Sequence, residues 1–150
     1  WGRPDMALFK FVSSILNDKP IDIYNDGDMF RDFTYVDDIV RSIRLLIDAV
    51  PEHADNLKTL DNDSLSPVAP YRVVNIGNSN TVKLLDFIEV IEEVLDKKAV
   101  RNYMPMQKGD VSATWSNSSL LKNLTGFSPQ TNFREGIIRF IDWYRKYYNV

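Results

Sequence analysis

Apolar residues recur along this chain at two spacings, and their alternation restricts it to a mixed α/β fold. Leu8, Phe9, Val12, Ile15 and Leu16 share one face at helical spacing. A helix is therefore expected from about Met6, capped by Asp5 and stopped by Pro20. Residues 21–25, IDIYN, alternate like a short strand, and Asp26-Gly27 is a turn signal. An extended segment over 30–35 leads into a second helix. There Val36, Ile39, Val40, Ile43, Leu46, Ile47 and Val50 keep the i, i+3, i+4, i+7 pattern. Asp37 and Asp38 fall in its first turn, where the helix dipole favours anions.

Further on, residues 71–76, YRVVNI, read as a buried strand ending at Gly77. Thr81 is expected to cap a helix whose core face is Leu84, Phe87, Ile88, Ile91 and Leu95. Residues 99–106 are extended and run into QKGDV. A short helix near 117–124 ends at Gly126, and a long one spans about 132–148 with Ile137, Phe140, Ile141 and Tyr144 inward. Between them, residues 51–70 have no usable period and three prolines, so a long flexible loop is expected.

Composition narrows the function classes. The 150 residues suffice for one domain with a real core, and the net charge of −3 argues against nucleic acid or an anionic membrane as partner. No run of about 18 apolar residues exists to span a bilayer. With no cysteine, disulfides and thiolate metal sites are excluded, and a reducing, cytoplasmic setting is expected. The Trp-Gly-Arg-Pro opening reads as a cut end.

The stretch 26–38, DGDMFRDFTYVDD, concentrates charge and aromatics. Its aspartates do not follow the calcium-loop pattern, and Asp37 and Asp38 point about 100° apart on a helix, so no metal site is expected. The single histidine, His53, lies in the loop and reads as solvated. Arg31 stands apart, in an extended segment between Phe30 and Phe33. It either pairs with Asp28 or Asp32, or it holds a planar phosphate or carboxylate in its donor fork. Asp110, after the turn glycine Gly109, is a carboxylate placed to accept hydroxyl hydrogen bonds. No Gly-rich phosphate loop and no G-x-S-x-G motif occur.

Taken together, WGRPDMALFKF, KPIDIYNDGDMFRDFTYVDDIV, VVNIGNSNTVKLLDFIEVIE and MPMQKGDVSATWSN resemble the C-terminal, substrate-binding part of the extended short-chain dehydrogenase/reductase family. The signature R-D-F-x-Y-V-x-D at Arg31–Asp38 is similar to that of nucleotide-sugar members. The G-R-P-D-M opening resembles the UDP-glucuronate 4-epimerase type. The likeness runs almost end to end, with the 51–70 loop off pattern, and makes residues 1–150 a single partial domain of a longer enzyme.

The resemblance implies roles for particular residues. Arg31 would hold the diphosphate, and the aspartates around it become turn, cap and packing residues. Ile23 and Tyr24 would lie along the uracil and ribose, with Ala7, Leu8 and Lys10 lining the uridine pocket. Asp110 would reach the nucleotide. Arg3 would meet the sugar carboxylate. Gln107 stands where many relatives carry a second diphosphate-binding arginine, which leaves less positive charge on the diphosphate. The family's NAD-binding glycine motif and its Y-x-x-x-K base are absent here, so this chain would hold no catalytic residue and NAD would be bound elsewhere in the full protein. That protein would be a homodimer. It would interconvert UDP-glucuronate and UDP-galacturonate by oxidation at C4, rotation of the keto sugar and re-reduction. A sibling dehydratase or decarboxylase, and a non-catalytic ligand-binding member, are the alternatives.

Overall fold

The computed structural model describes residues 3–52 and 63–150; Trp1, Gly2, His53 and the centre of the expected 51–70 loop lie outside them. In chain order the described elements are α1 (Ala7–Leu16), β1 (Pro20–Tyr24), a 3-10 turn (Asn25–Gly27), β2 (Phe30–Asp32) and α2 (Val36–Asp48). They continue with β3 (Thr81–Lys83), α3 (Leu84–Leu95), β4 (Val100–Met104), β5 (Ala113–Thr114), α4 (Ser119–Thr125) and α5 (Phe133–Tyr148). This is the mixed α/β class that the two spacings predict. Internal contacts divide the chain into two compact units.

The first unit joins Trp1–Arg31, Thr81–Thr114 and Asn132–Val150. Its core is built from one face of each long helix. Phe9, Phe11, Val12 and Ile15 of α1 are buried, as are Phe87, Ile88, Val90, Ile91 and Leu95 of α3 and Ile137, Ile141 and Tyr144 of α5. Helix α1 packs on β1 and α3, and α3 packs on α5. Phe9 meets Phe140 edge-on with ring centroids 4.7 Å apart, an aromatic arrangement that adds to area burial. Strands β1 and β4 pair in parallel from Pro20↔Val100 to Tyr24↔Met104, with Ile21 and Ile23 turned into the core. A second small sheet has the order β3-β2-β5, with Phe30↔Ala113 and Arg31↔Thr114 in parallel register.

This unit also holds a buried carboxylate met by cations. The Glu92 carboxylate, 1% exposed, accepts from Lys98 Nζ at 2.7 Å, Ala99 N at 3.1 Å and Arg101 Nη2 at 3.0 Å. Burial alone would raise its pKa. The bonds from Lys98, Ala99 and Arg101 together outweigh burial and hold the carboxyl below its ordinary value.

The second unit joins Asp32–Asn80 and Trp115–Thr131. Helices α2 and α4 pack together, with Leu120, Leu121 and Phe127 buried and Arg41 lying 4.4 Å over the Phe127 ring. Asp38, buried in the first turn of α2, accepts the backbone N–H of Gln130 at 3.0 Å and of Thr131 at 2.8 Å. Gly126, in the left-handed region, terminates α4 as expected.

Four expectations differ from the structure. Asp5 does not cap α1: Met6 occupies that position without a side-chain cap, and Asp5 is held by Arg3 instead. Thr81 does not cap α3, because Thr81–Lys83 is drawn into β3 and the helix starts at Leu84. Residues 71–76 form no strand and are not buried. They are tied to the preceding residues: Ser64 Oγ bonds both the N–H and the carbonyl of Val73, and the Arg72 side chain grips the Asp63 carboxylate at 2.9 and 3.0 Å. Finally, the apolar stripe of α2 is not core in this chain. Val36, Val40, Ile43, Ile47 and Val50 are 51–70% exposed, while the buried side of the helix carries Asp38 and Ser42.

Candidate functional site

Arg31 sits in β2, where the parallel register with β5 holds it beside the loop that precedes β5. Its Nη1 donates to the carbonyls of Phe30 at 2.8 Å and Ser112 at 3.3 Å. Its Nη2 donates to Asp110 Oδ1 at 2.8 Å. Asp110 is thus the partner, rather than Asp28 or Asp32, the two that chain proximity offers. Asp28 lies 4.0 Å from Lys83, and Asp32 accepts from the backbone N–H of Ser79 and Ser116.

Asp110 owes its position to a tight turn. Its N–H bonds the Gln107 carbonyl at 3.2 Å, with Gly109 between them at φ +87°. The same Oδ1 that meets Arg31 also accepts the Val111 N–H at 2.8 Å. Arg31 and Asp110 are 32% and 33% exposed at the side chain, so the pair is anchored but open on one side. Of the five guanidinium N–H groups, three are committed within the described residues.

The remaining expected site residues all belong to the first unit. Gln107 is exposed in the Asp110 turn. Tyr24 is half-buried at the end of β1, whereas Ile23 is wholly buried, so of the two Tyr24 offers the accessible side chain. On α1, Ala7 and Lys10 are exposed and Leu8 half-buried. Arg3 is exposed and grips Asp5 through Nε at 3.2 Å and Nη2 at 2.6 Å. That hydrogen bond raises the guanidinium above its ordinary value and holds the Asp5 carboxyl below its own.

Sequence reasoning missed one feature of the second unit. A polar cleft of about 460 Å³ is lined by Gly77, Ser79, Trp115, Ser116 and Lys122 among others. A Cβ at Gly77 would overlap Ser116, so glycine is required there for close approach. The available signal was the run of small polar residues in GNSN and TWSNSS. Among the described residues, no group of three or more His, Cys, Asp or Glu side chains is placed to hold a metal.

This mixed α/β chain of helices and a few short strands aligns with solved NAD-dependent epimerase/dehydratases over about 40% of their length. The family pattern described as GDP-mannose 4,6 dehydratase matches residues 4–140, and the chain belongs to that family. It matches the C-terminal part of UDP-glucuronate 4-epimerases and related epimerase/dehydratases. Protein CapI of Staphylococcus aureus is 49% identical over 99% of this chain and 44% of its own length. The probable UDP-glucuronate 4-epimerase of Rhizobium meliloti (strain 1021) is 48% identical over the same shares. The chain therefore spans less than half of these relatives. Among solved structures, the UDP-glucuronic acid 4-epimerase of Bacillus cereus in complex with UDP-glucuronic acid and NAD aligns with a TM-score of 0.76 and 28% identity. That alignment covers 97% of this chain and 41% of that one.

The NAD of that structure finds no counterpart cradle here. Among the described residues, the glycines with positive φ are the isolated turn residues Gly27, Gly109 and Gly126, and no glycine-rich loop links a strand to a helix. These residues do not fit a dinucleotide.

Proposed function

We propose that this chain is the substrate-gripping part of a nucleotide-sugar epimerase, and that Arg31 is the anchor for the diphosphate of a UDP-sugar. The observation that carries the reading is the Arg31 fork, positioned by two carbonyls and by Asp110. Arginine suits phosphate because its planar donors match two oxygens at once. Tyr24 and the start of α1, with Ala7, Leu8 and Lys10, flank the uridine in this reading. Gln107 meets the diphosphate as a neutral donor, and Arg3 meets the sugar carboxylate after releasing Asp5.

The full-length protein interconverts UDP-glucuronate and UDP-galacturonate in this reading, and the residues that carry out the redox chemistry lie outside this chain. Support comes from the named activity of the Rhizobium relative and from the ligand of the Bacillus cereus structure. A firm hold on UDP with a looser hold on the sugar is what an epimerase requires, because the sugar must present both faces to one reductant.

The test uses the full-length protein, UDP-glucuronate and NAD, followed through the anomeric protons by NMR. UDP-galacturonate accumulating to equilibrium is the expected result. A decarboxylated or stable keto product would replace the epimerase by a sibling activity. At the site, a charge-assisted hydrogen bond contributes about 1.5–3 kcal/mol, so Arg31→Ala is expected to weaken UDP-sugar binding by about 10- to 100-fold. Unchanged affinity would remove Arg31 from the diphosphate site.

A further inference from the structure

The Arg31 fork is not a free positive charge. A carboxylate lies 2.8 Å from its Nη2, both partners are about equally exposed, and in the same turn Gln107 is neutral and Lys108 is an exposed cation. A phosphate arriving at the fork meets the donors of a cation whose charge is already largely balanced by Asp110. We infer that Asp110 sets the charge selectivity of the site. It would lower the preference that a bare Arg31 cation gives a free nucleoside diphosphate over a diphosphate esterified at both ends, as in a nucleotide sugar. This inference rests on the reading of Arg31 as the diphosphate anchor.

The physical basis is a difference of charges. A doubly esterified diphosphate carries about one negative charge per phosphate, whereas the terminal phosphate of a free nucleoside diphosphate carries about one more above pH 7. Arg31 attracts that extra charge, and the neighbouring carboxylate offsets the attraction. The extra charge of the free diphosphate is the part that the Asp110 carboxylate opposes. One charge about 4 Å away in a water-like setting alters affinity by about 5-fold. Discrimination of this kind works by penalising the competitor rather than by adding contacts to the preferred ligand.

The experiment measures the dissociation constants of UDP and UDP-glucose with the full-length protein by calorimetry, for wild type, Asp110→Asn and Arg31→Ala. Both ligands carry the same uridine, so any contact of Asp110 with the nucleoside cancels in the ratio of the two constants. The asparagine keeps an oxygen for Arg31 and removes only the charge. Asp110→Asn is expected to shift the ratio toward UDP by about 5-fold. An unchanged ratio would overturn the inference while leaving the anchor reading intact. Arg31→Ala leaving both constants unchanged would defeat the anchor reading itself.

Discussion

Arg31 and Glu92 show how far a side chain's role depends on its partners. Arg31 is held at one edge by carbonyls and at another by Asp110, so its planar shape matters as well as its charge. Arg31→Lys keeps the charge and loses the fork. UDP-sugar affinity measured calorimetrically is expected to fall almost as far as in Arg31→Ala, because an ammonium cannot reach two carbonyls, a carboxylate and a phosphate together. Glu92 is the opposite case, a buried carboxylate satisfied wholly inside the chain. Glu92→Ala leaves the Arg101 guanidinium half-buried without its counter-ion, and urea unfolding is expected to show a loss of about 3 kcal/mol. Its pH dependence has a definite sign. The folded carboxyl titrates below its ordinary value. The stability that it contributes is therefore full above the unfolded pKa of about 4.5 and is lost as pH falls below it through the folded value. In Glu92→Gln, that part of the acid loss is expected to disappear from unfolding curves taken between about pH 5 and pH 3.

At the scale of the element, the turn between β4 and β5 determines whether the site exists. Gly109 sits at φ +87°, yet a Cβ there would meet no atom within 4 Å. The cost of a side chain is therefore backbone strain alone. Gly109→Ala is expected to destabilise the turn by about 1–2 kcal/mol and to loosen the Asp110–Arg31 contact, whereas Gly109→Asn costs less because asparagine tolerates the left-handed region. Thermal denaturation with paired UDP affinities checks both variants; equal losses in the two would refute a backbone origin. The stretch Tyr71–Ile76 carries the complementary lesson. A continuous apolar run is compatible with a strand, but a strand requires a ladder partner. Here Ser64 Oγ supplies to the Val73 backbone the hydrogen bonds that a ladder would have supplied.

For the whole molecule, the decisive feature is the uncovered stripe of α2. Val36, Val40, Ile43 and Ile47 form an exposed apolar row on one helix, continued past its end by Val50, which is more than scattered surface residues. The 150-residue chain expressed alone is expected to self-associate, and Ile43→Glu with Ile47→Glu to reduce that association in sedimentation velocity. A monomeric wild-type chain at about 50 μM would contradict the role of this stripe. The same double substitution in the full-length protein gives the complementary test of whether the stripe becomes buried there, read as a fall in Tm.

Sequence by itself determined the elements and the family. Helical and alternating spacings act over a few residues, so α1, α3, α5, β1 and β4 were legible within one or two positions. So was Gly126 as a helix terminator. What only the tertiary structure decided acts across long separations. The partner of Arg31 lies 79 residues away, and the backbone groups that Asp38 receives lie 92 and 93 residues away. No local pattern encodes those distances. The same reason explains Asp5, Thr81 and the α2 stripe. Capping propensity and amphipathic spacing state what a residue is suited to, whereas the competing partner, Arg3 for Asp5 or the β2 strand for Thr81–Lys83, is brought there by the fold.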